Sequence, residues 1–578
     1  MKYNNKPVKM TLAHINDTHS YFEPQSLQLK LTIEQREISP FVSNGGFARI
    51  AARAKQLKLR AKKEEREFMF FHAGDCFQGT LYFSLFKGKA NADMLNALEI
   101  DAMALGNHEL DMGNQPVAEF LTRVNFPLMS GNWDLSEESK SKPLKLNEQS
   151  NLYAFDEKSQ AARYMVKNVD DEPVAIFGIS MDQMAEISNP DPDTPFVNVL
   201  ETVNRTVESL HKRGINKIIL LSHLGFEADR KLAQATSGIS LIIGGHSHTL
   251  MGDFSPIGLE SQPEYGIQVN DTRIVQSGLH SQALGHCDID FNADGSIAEF
   301  NGKNELLIGR RLCIDASLTS GHGDALHQQA ADFLAQQANV VVCKKDPYVH
   351  SLLNDKYIPK VRKLQQTIIA EITSPLRHVR IPDEQGPSEL VPLVAEAFYH
   401  SMKAQGHDVD FALHNAGGIR TSLNPGEVSV ADIAGKLLPF AVPIGVYQLK
   451  GKHLALALEG AINNATNNGV IGTGSGSYPY TYNLDFRYLK DNPAGQRLKD
   501  LKIYREGEGW VEVQGEKVYV GTSSAYTMKG KEGYSAITNM LGNGSITNLS
   551  MSDCFVDFLK RFPERLDGIS QAKLKLLG

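Results

Sequence analysis

The first 250 residues alternate between short apolar runs and amphipathic segments. Runs such as EFMFFHAGD (67–75), KIILLSHLG (217–225) and ISLIIGGHSH (239–248) begin with almost uninterrupted apolar residues, which is typical of strands buried on both faces of a sheet. Between the runs lie segments with helical periodicity, including NADMLNALE (91–99) and VLETVNRTVESLHKRG (199–214). This alternation predicts an α/β or layered α+β domain.

Potential metal ligands follow several of these runs directly. The strand-like run VKMTLAHIN (8–16) is followed by Asp17 and His19, which an extended chain places on one face. Carboxylate, amide and imidazole groups suit Zn, Mn, Fe or Mg, with no thiolate required. The other runs end in Asp75, in Asn107 with His108 and Asp111, in His223, and in His246 with His248.

Each of these residues has an ordinary structural explanation when taken alone. A single His after a strand is more often a hydrogen-bonded structural residue than a ligand, and Asp75 could cap a helix. These explanations are independent of one another, however, and the pattern recurs at separate strand ends. Isolated charges beside apolar strand ends also cost free energy unless they are paired or bind metal. The combined pattern therefore predicts a metal site.

The variety of candidate ligands indicates two metal ions rather than one. A shared carboxylate can bridge two ions about 3.5–4 Å apart, and such a pair holds a phosphate and generates hydroxide from water. Asn107 fits this arrangement as a neutral ligand. His108 follows it directly and would point away from it, so we predict a proton donor or transition-state stabiliser whose ring Asp111 orients.

Length and charge limit what the rest of the chain can be. At 578 residues it is too long for one core, and two or three domains are expected. A net charge of −8 provides no basic surface for a nucleic acid polymer, and no apolar run is long enough to span a membrane. The five scattered cysteines predict reduced thiols. Because no signal segment is visible, we expect a cytoplasmic protein, or a periplasmic one whose export signal was removed.

A change in sequence character near residue 346 marks the predicted domain boundary. The stretch DPYVHSLLNDKYIPKVRKLQQTIIAEI (346–372) is charged and mostly helical in pattern. It predicts a linker helix over 346–370, between an N-terminal domain over 1–345 and a second α/β domain over 371–578.

Several short motifs resemble one known superfamily when they are taken in order. DTHS (17–20), GD (74–75), GNHELD (106–111), SHLG (222–225) and GGHSH (244–248) resemble the calcineurin-like metallophosphoesterases. HNAGGIR (414–420), LPF (438–440) and AYTMKGKEGY (525–534) narrow the resemblance to the 5'-nucleotidase family. The resemblance implies an α/β fold in which a four-layer α/β/β/α sandwich is joined by the linker helix to a smaller α/β substrate-binding domain.

The resemblance also implies roles for individual residues in the N-terminal domain. Its cofactor would be two divalent metal ions, with Zn, Mn, Co, Mg and Fe all open. Asp17, His19, Asp75 and His248 would bind one ion, and Asp75, Asn107, His223 and His246 the other. His108 and Asp111 match the family's catalytic dyad.

In the second domain the resemblance implies a set of substrate contacts. Phe440 and Tyr526 match an aromatic clamp that stacks the nucleobase, a contact worth about 1–3 kcal/mol per base. Phe440 alone is equally compatible with core packing. The alignment of the two arginines in PLRHVRIPDEQG (375–386) with the family's phosphate-binding arginines is loose in spacing. The implied contacts are Arg377, Arg380, Asn415, Gly418, Arg420, Phe440, Tyr526 and Glu532.

Three positions depart from the family pattern. His248 stands where the family often has Gln or Asn, and Glu532 replaces an Asp that contacts the ribose. Ala416 replaces a Gly in NAGGIR, at a point where the backbone can approach the substrate closely. These differences leave the preferred metal, sugar and phosphate open.

The predicted activity is metal-dependent hydrolysis of nucleotide phosphoesters, foremost of nucleoside 5'-monophosphates to nucleoside and phosphate. The alternatives within this class are a UDP-sugar diphosphatase and a 2',3'-cyclic-nucleotide 2'-phosphodiesterase/3'-nucleotidase. The alternative outside it is a nucleotide-binding protein without catalysis. In each case the expected partner is a nucleotide or nucleotide sugar, and the oligomeric state is left open.

Overall fold

The computed structural model describes residues 6–314, 323–440 and 442–566. The chain divides into two compact units after Pro359, and the short segment Gly79–Ser84 belongs to the second unit. The segment predicted as one linker helix contains two helices, Pro347–Lys356 and Ile358–Gln365, before the strand Ile368–Ile372. The division therefore falls within this segment, and the domain limits at 345 and 371 stay predictions.

The first unit is built on two β-sheets. The strands of the larger sheet are, in spatial order, Gln25–Gln28, Phe41–Asn44, Ile297–Cys313, Ala283–Phe291, Val8–Ile15, Glu67–His72, Ala102–Ala104, Leu128–Met129 and Leu152–Tyr153, with Val340–Val342 paired to Ile297–Cys313. Those of the second sheet are Met165–Val169, Glu172–Ser180, Lys217–His223, Leu241–Ile243, Thr272–Val275 and Ile267–Val269. Two hairpins add Leu31–Ile33 with Arg36–Ile38 and Phe155–Asp156 with Ala161–Ala162.

The two sheets share one hydrophobic core, which makes the centre of a layered sandwich. Leu12 and Phe71 of the larger sheet join Ile219 and Ile242 of the second in a single buried cluster. Helices pack on the sheets, Phe47–Lys63 on the larger one and Val199–Lys212 on the second. The helices of the first unit are Phe47–Lys63, Lys89–Leu98, Asn114–Leu121, Met184–Ile187, Val199–Lys212, Phe226–Ala235, Gly323–Gln336 and Pro347–Lys356, while the short helix Leu81–Phe86 begins in the segment assigned to the second unit.

Parallel strands occupy the middle of both sheets. Val8–Ile15, Glu67–His72 and Ala102–Ala104 run parallel in the larger sheet, as do Lys217–His223 and Leu241–Ile243 in the second. Parallel strands bring their carboxyl ends to one edge of a sheet, and in α/β proteins ligands bind beyond that edge. The residues that follow these strands therefore lie close together at that edge.

The second unit contains a five-stranded sheet with a hydrophobic core on each face. Successive residues of one strand point to opposite faces, so Ala412 joins the core of Leu390 and Phe555, while Leu413 joins that of Leu454. The strands are, in spatial order, Pro479–Tyr482, Phe411–Asn415, Val518–Ser524, Pro443–Lys450 and Leu541–Ser550. The longer helices are Leu390–Ala404, Gly451–Thr466 and Met551–Arg561.

Smaller elements complete the second unit. Leu484–Tyr488, Leu498–Arg505 and Gly509–Glu512 form a three-stranded sheet, and Ile368–Ile372 pairs with Gly426–Ser429. Short helices cover Val430–Asp432 and Ala525–Met528. Among the helices of the described residues, none combines the length and apolar character that a membrane span requires.

A buried ion pair in the second sheet allows a test of the sandwich core. The side chains of Lys217 and Glu172 are 1% and 3% exposed, with Nζ 3.1 Å from Oε2. We expect Glu172→Ala to destabilise the protein by about 3–5 kcal/mol, because it leaves an unpaired buried ammonium group. Denaturant unfolding of the protein would measure the change.

Glu208→Ala is the matched control, because the Glu208–Lys212 pair lies on a helix surface with both side chains more than 60% exposed. Its effect should stay below about 1 kcal/mol. Equal destabilisation by the two substitutions would contradict the burial of the Lys217–Glu172 pair.

Candidate metal centre

The ends of five parallel strands bring the predicted ligands of the first unit together. Asp17 and His19 follow Val8–Ile15, Asp75 follows Glu67–His72, and Asn107 follows Ala102–Ala104. From the second sheet, His223 closes the strand Lys217–His223, while His246 and His248 follow Leu241–Ile243. Each sheet thus contributes part of one site.

One group of ligand atoms consists of Asp17, His19 and His248, whose donor atoms all lie within 4.8 Å of one another. His248 Nε2 is 3.3 Å from Asp17 Oδ1 and 3.4 Å from His19 Nε2. Three donors at this spacing can surround one cation. A carboxylate with two imidazoles is a ligand set that Zn and similar divalent metals accept.

A second group consists of Asp75, His223 and His246, with the same 4.8 Å limit on donor separation. His223 Nε2 lies 3.2 Å from Asp75 Oδ2, and the Asn107 amide oxygen lies 3.0 Å from His246 Nδ1. Asp75 Oδ2 is also 4.0 Å from His19 Nε2 of the first group. Asp75 therefore stands between the two groups, where a bridging ligand would be.

The electrostatics of the site fit cation binding. Burial opposes ionisation of Asp75, but His223 and His108 outweigh it and hold its pKa well below the usual range. Burial also opposes protonation of His223, yet Asp75 and Asp17 raise the pKa of His223 to about 10. For His246, burial and the neighbouring His223 lower the pKa to about 4. The negative charge of the buried carboxylates is balanced here by the positive charge of imidazolium groups. A bound metal ion can supply that positive charge instead.

The turns that carry the ligands have unusual backbone conformations. Left-handed φ values are uncommon outside glycine and cluster at functional sites. Two glycines in the same turns have no room for a side chain, because a Cβ on Gly106 would lie 2.2 Å from Asp75 Oδ1 and one on Gly74 2.4 Å from His223 Nδ1. The ligands with φ between 46° and 71° are Asp17, His19, Asp75, His246 and His248.

His108 and Asp111 form a close pair beside Asp75. His108 Nδ1 is 2.6 Å from Asp111 Oδ2, and the backbone N–H of His108 donates to Asp75 Oδ1 at 2.8 Å. Burial lowers the proton affinity of His108, but Asp111 and Asp75 outweigh it and raise its pKa to about 10. The ring therefore carries a proton at neutral pH in the absence of a cation.

Glu109 is a structural residue of the site that the sequence motifs did not reveal. Its carboxylate accepts hydrogen bonds of 2.7–3.0 Å from the backbone N–H groups of Asp75, Cys76, Phe77 and Gly106. The side chain thereby holds the Asp75 turn against the Gly106 turn. The sequence offered one sign of this role: Glu109 is the acidic residue of the GNHELD motif to which the sequence analysis gave no function.

Asn16 and His280 were also absent from the sequence prediction. Asn16 Nδ2 donates to Asp17 Oδ2 at 2.7 Å and to the Gly278 carbonyl at 2.6 Å, which orients the Asp17 carboxylate. The His280 ring stacks on Tyr21 at a centroid distance of 3.8 Å and lies edge-on to His19 at 5.8 Å. These contacts come from the loop around residue 280, which is remote in sequence from the DTHS motif.

In the second unit, part of the predicted substrate set lies together. Glu532 Oε2 is 3.4 Å from Asn415 Nδ2, and the Glu532 carboxylate is also hydrogen-bonded to Tyr526. The Arg420 guanidinium lies over the Phe440 ring at 5.5 Å. Gly418 packs on a buried imidazole, since a Cβ there would be 2.3 Å from His414 Cε1.

The two predicted arginines differ in their surroundings. Arg377 Nη1 donates to Asp383 at 2.8 Å and Nη2 to the Gly386 carbonyl at 2.7 Å, so its guanidinium ties together the loop that follows it. Arg380 is exposed and acts electrostatically on Glu532 and on His378. Arg377 therefore serves its own loop, whereas a substrate contact by Arg380 stays a prediction.

Comparisons with known proteins agree with both halves of this description. Residues 10–250 match the model of calcineurin-like phosphoesterases, and residues 368–539 match that of the 5'-nucleotidase C-terminal domain. The NAD 5'-nucleotidase of Haemophilus influenzae is 29% identical over 96% of this chain and 91% of its own length. The 5'-nucleotidase of Bos taurus is 26% identical over 92% of this chain and 85% of its own.

Comparison with solved structures also finds a similarity to a 5'-nucleotidase. The crystal structure of a 5'-nucleotidase precursor from Thermus thermophilus covers 96% of this chain and 97% of its own, with a TM-score of 0.62 and 29% identity. The similarity thus extends over nearly the full length of both proteins.

The hydrogen bonds that Glu109 accepts from four backbone N–H groups lead to a testable expectation. Glu109→Gln would turn one oxygen into an NH₂ group that faces N–H donors, so we expect a loss of about 1–3 kcal/mol in stability. The displaced Asp75 turn should also weaken metal binding by about 10–100-fold. Thermal unfolding and calorimetric titration with Mn²⁺ would measure the two effects.

Glu119→Gln provides the control, because Glu119 is an exposed residue of the nearby helix Asn114–Leu121. It should change neither quantity. Normal metal affinity in Glu109→Gln would show that the Asp75 turn keeps its shape without this carboxylate.

Proposed function

Because the chain belongs to the calcineurin-like phosphoesterases that carry a 5'-nucleotidase C-terminal domain, and is thus a phosphohydrolase with a divalent metal cofactor, we propose that it hydrolyses nucleoside 5'-monophosphates to nucleoside and phosphate. The observation that carries the proposal is the pair of donor groups that meet at Asp75, with the His108–Asp111 pair beside them. The 5'-nucleotidase names of the relatives support a monophosphate over the UDP-sugar and cyclic-nucleotide alternatives.

We propose that these donor groups hold two divalent cations, whose identity is open among Zn, Mn, Co, Mg and Fe. Asp17, His19, Asp75 and His248 would hold one, and Asp75, Asn107, His223 and His246 the other. When bound, such a pair supplies Lewis acidity and an activated water for attack on phosphorus. The donor set fits this role, since it offers carboxylate, imidazole and amide atoms and no thiolate.

The chain's own residues would supply the remaining steps. His108 is held by Asp111 through Nδ1, which would direct its ring toward the substrate. A protonated His108 ring would stabilise charge on a phosphoryl oxygen or donate its proton to the departing 5'-oxygen of the nucleoside. Asp75 accepts a hydrogen bond from the backbone N–H of His108, and this bond fixes the dyad relative to the cation ligands.

The second unit would recognise the nucleotide. Phe440 and Tyr526 would stack the base, while Asn415, Gly418 and Glu532 would line the sugar. Arg380 and Arg420 would attract the phosphate against the negative charge of the whole chain. Arg377 remains a predicted phosphate contact, although its contacts with Asp383 and Gly386 favour a role in shaping the loop.

The first test of the function is phosphate release from protein loaded in turn with each candidate metal. AMP, UDP-glucose coupled to a phosphatase, and 2',3'-cyclic AMP serve as parallel substrates. We expect turnover of AMP to exceed that of the other two. Asn107→Ala should lower it by at least about 10²-fold, because a direct ligand is lost.

The outcomes separate the candidate reactions. A preference for UDP-glucose or for the cyclic nucleotide would replace the monophosphate assignment and keep the metal site. Turnover that is unchanged in Asn107→Ala would contradict the proposed ligand set. Failure to release phosphate from every substrate would contradict the nucleotidase assignment.

The aromatic clamp has its own test. Tyr526→Ala should raise KM for AMP by about 5–150-fold, which corresponds to the loss of about 1–3 kcal/mol of base stacking. Steady-state kinetics with AMP and with ribose 5-phosphate would measure it. The variant should lose more affinity for AMP than for ribose 5-phosphate, since ribose 5-phosphate has no base to stack.

Tyr504→Ala is a control from the same unit, as Tyr504 is 44% exposed and its ring contacts Trp510 in the three-stranded sheet. It should leave both KM values unchanged. An equal rise in KM for AMP and ribose 5-phosphate in Tyr526→Ala would argue against stacking on this ring.

A further inference from the structure

Ser188 makes a contact that the catalytic motifs do not include. It lies just after the short helix Met184–Ile187, in the loop that follows the strand Glu172–Ser180. The residue is 5% exposed, and its Oγ lies 2.6 Å from the carbonyl oxygen of Asn107 and 3.1 Å from Asp111 Oδ1. One hydroxyl thus touches both a predicted metal ligand and the predicted dyad.

The two acceptors of this hydroxyl belong to different parts of the catalytic machinery. Asn107 offers its side-chain amide toward His246, and Ser188 holds the carbonyl of the same residue. Asp111 uses Oδ2 for His108 Nδ1 at 2.6 Å, and Ser188 holds the opposite oxygen, Oδ1. The single proton is shared in a three-centre bond, so the carboxylate of Asp111 is fixed in rotation against the backbone of Asn107.

We propose that Ser188 is a positioning residue for the His108–Asp111 dyad, which holds the Asp111 carboxylate in register with the metal-ligand turn. The inference rests on the proposed phosphohydrolase function. A carboxylate held at one oxygen only can rotate about its Cβ–Cγ bond, and His108 would then lose its fixed direction. Catalytic groups lose efficiency when they are displaced by fractions of an ångström.

The loop that bears Ser188 is anchored independently on the segment that follows the dyad. Asn114 Oδ1 accepts a hydrogen bond from the Asp191 backbone N–H at 3.1 Å, and Asn114 Nδ2 donates to Thr194 Oγ1 at 2.8 Å. Lys142 bridges Asp191 and Asp193, each at 2.8 Å. These contacts keep the backbone of residue 188 in place when its hydroxyl is removed, so Ser188→Ala would report on the hydroxyl alone.

Ser180 is a matched control within the same unit. It is fully buried, and its Oγ donates to the Leu105 carbonyl at 2.7 Å and lies 2.9 Å from Ser130 Oγ. Like Ser188, it is a buried hydroxyl bound to a backbone carbonyl just ahead of the GNHELD turn. It makes no contact with Asp111, so Ser180→Ala measures the general effect of losing such a hydroxyl.

The test is a double-mutant cycle on kcat at saturating Mn²⁺, with AMP and with p-nitrophenyl phosphate as substrates. We expect Ser188→Ala to lower kcat by about 10-fold with little change in KM, and Ser180→Ala to lower it by less than about 2-fold. Since Ser188 acts through Asp111, Ser188→Ala/Asp111→Ala should be no slower than Asp111→Ala within about 2-fold. Ser180→Ala should have the same small effect with or without Asp111.

Three results would overturn the inference. Multiplicative losses in Ser188→Ala/Asp111→Ala would mean that Ser188 acts independently of the dyad. A loss no larger than that of Ser180→Ala would mean a structural role only. Recovery of full kcat at Mn²⁺ concentrations above those that saturate the wild-type protein would mean that Ser188 acts through Asn107. Failure of the nucleotidase proposal would look different, because the wild-type protein would then hydrolyse p-nitrophenyl phosphate but not AMP. The double-mutant cycle could still be measured with p-nitrophenyl phosphate.

Discussion

Removing the Asp75 carboxylate from water is unfavourable unless donors and opposite charges surround it, and much of the first unit is arranged to provide them. The His108 backbone N–H donates to Oδ1, and the His223 imidazole lies 3.2 Å from Oδ2. Glu109 in turn accepts a hydrogen bond from the backbone N–H of Asp75. A second buried carboxylate therefore holds the turn that carries Asp75. These groups come from two strands other than the one that precedes Asp75, and Asp75 reaches them only when all three strands are in register. Correct pairing of the sheets and assembly of the site are therefore one event.

The backbone around the site shows how this register is maintained. Ligands such as Asp17, His19 and Asp75 adopt left-handed conformations that cost of order 1–3 kcal/mol each. Such conformations persist because neighbouring contacts leave no alternative: Asp17 N–H donates to the Gly74 carbonyl, and His19 N–H to that of Asp75. The first two ligand turns are thus bonded to each other through their backbones. A cation that pulls the side chains together acts on a frame that already holds them close.

The candidate ligands could be proposed from the sequence because they follow a local rule, whereas the residues that support them follow none. A ligand such as His223 follows its own apolar run, and parallel pairing then brings the run ends together. Ser188 contacts Asn107 from 81 residues away, and a serine in a polar loop has no pattern that marks it. Asn16 likewise works through Gly278, which lies in a different part of the chain. The linker illustrates a local limit: the helical pattern continues through Pro359, but Pro is favoured in the first turn of a helix, and a second helix begins at Ile358.

The substrate side of the protein differs from its family pattern at Glu532, and the structure gives that difference a physical meaning. Glutamate is one methylene longer than the aspartate it replaces, and its carboxylate is 3.4 Å from Asn415 Nδ2 as well as hydrogen-bonded to Tyr526. Burial raises the pKa of Glu532, against the effect of those two hydrogen bonds. The acid thus connects a residue proposed to line the sugar with one proposed to stack the base. A ribose hydroxyl that binds Glu532 would have to share or displace these partners, so recognition of sugar and base would be coupled through one carboxylate.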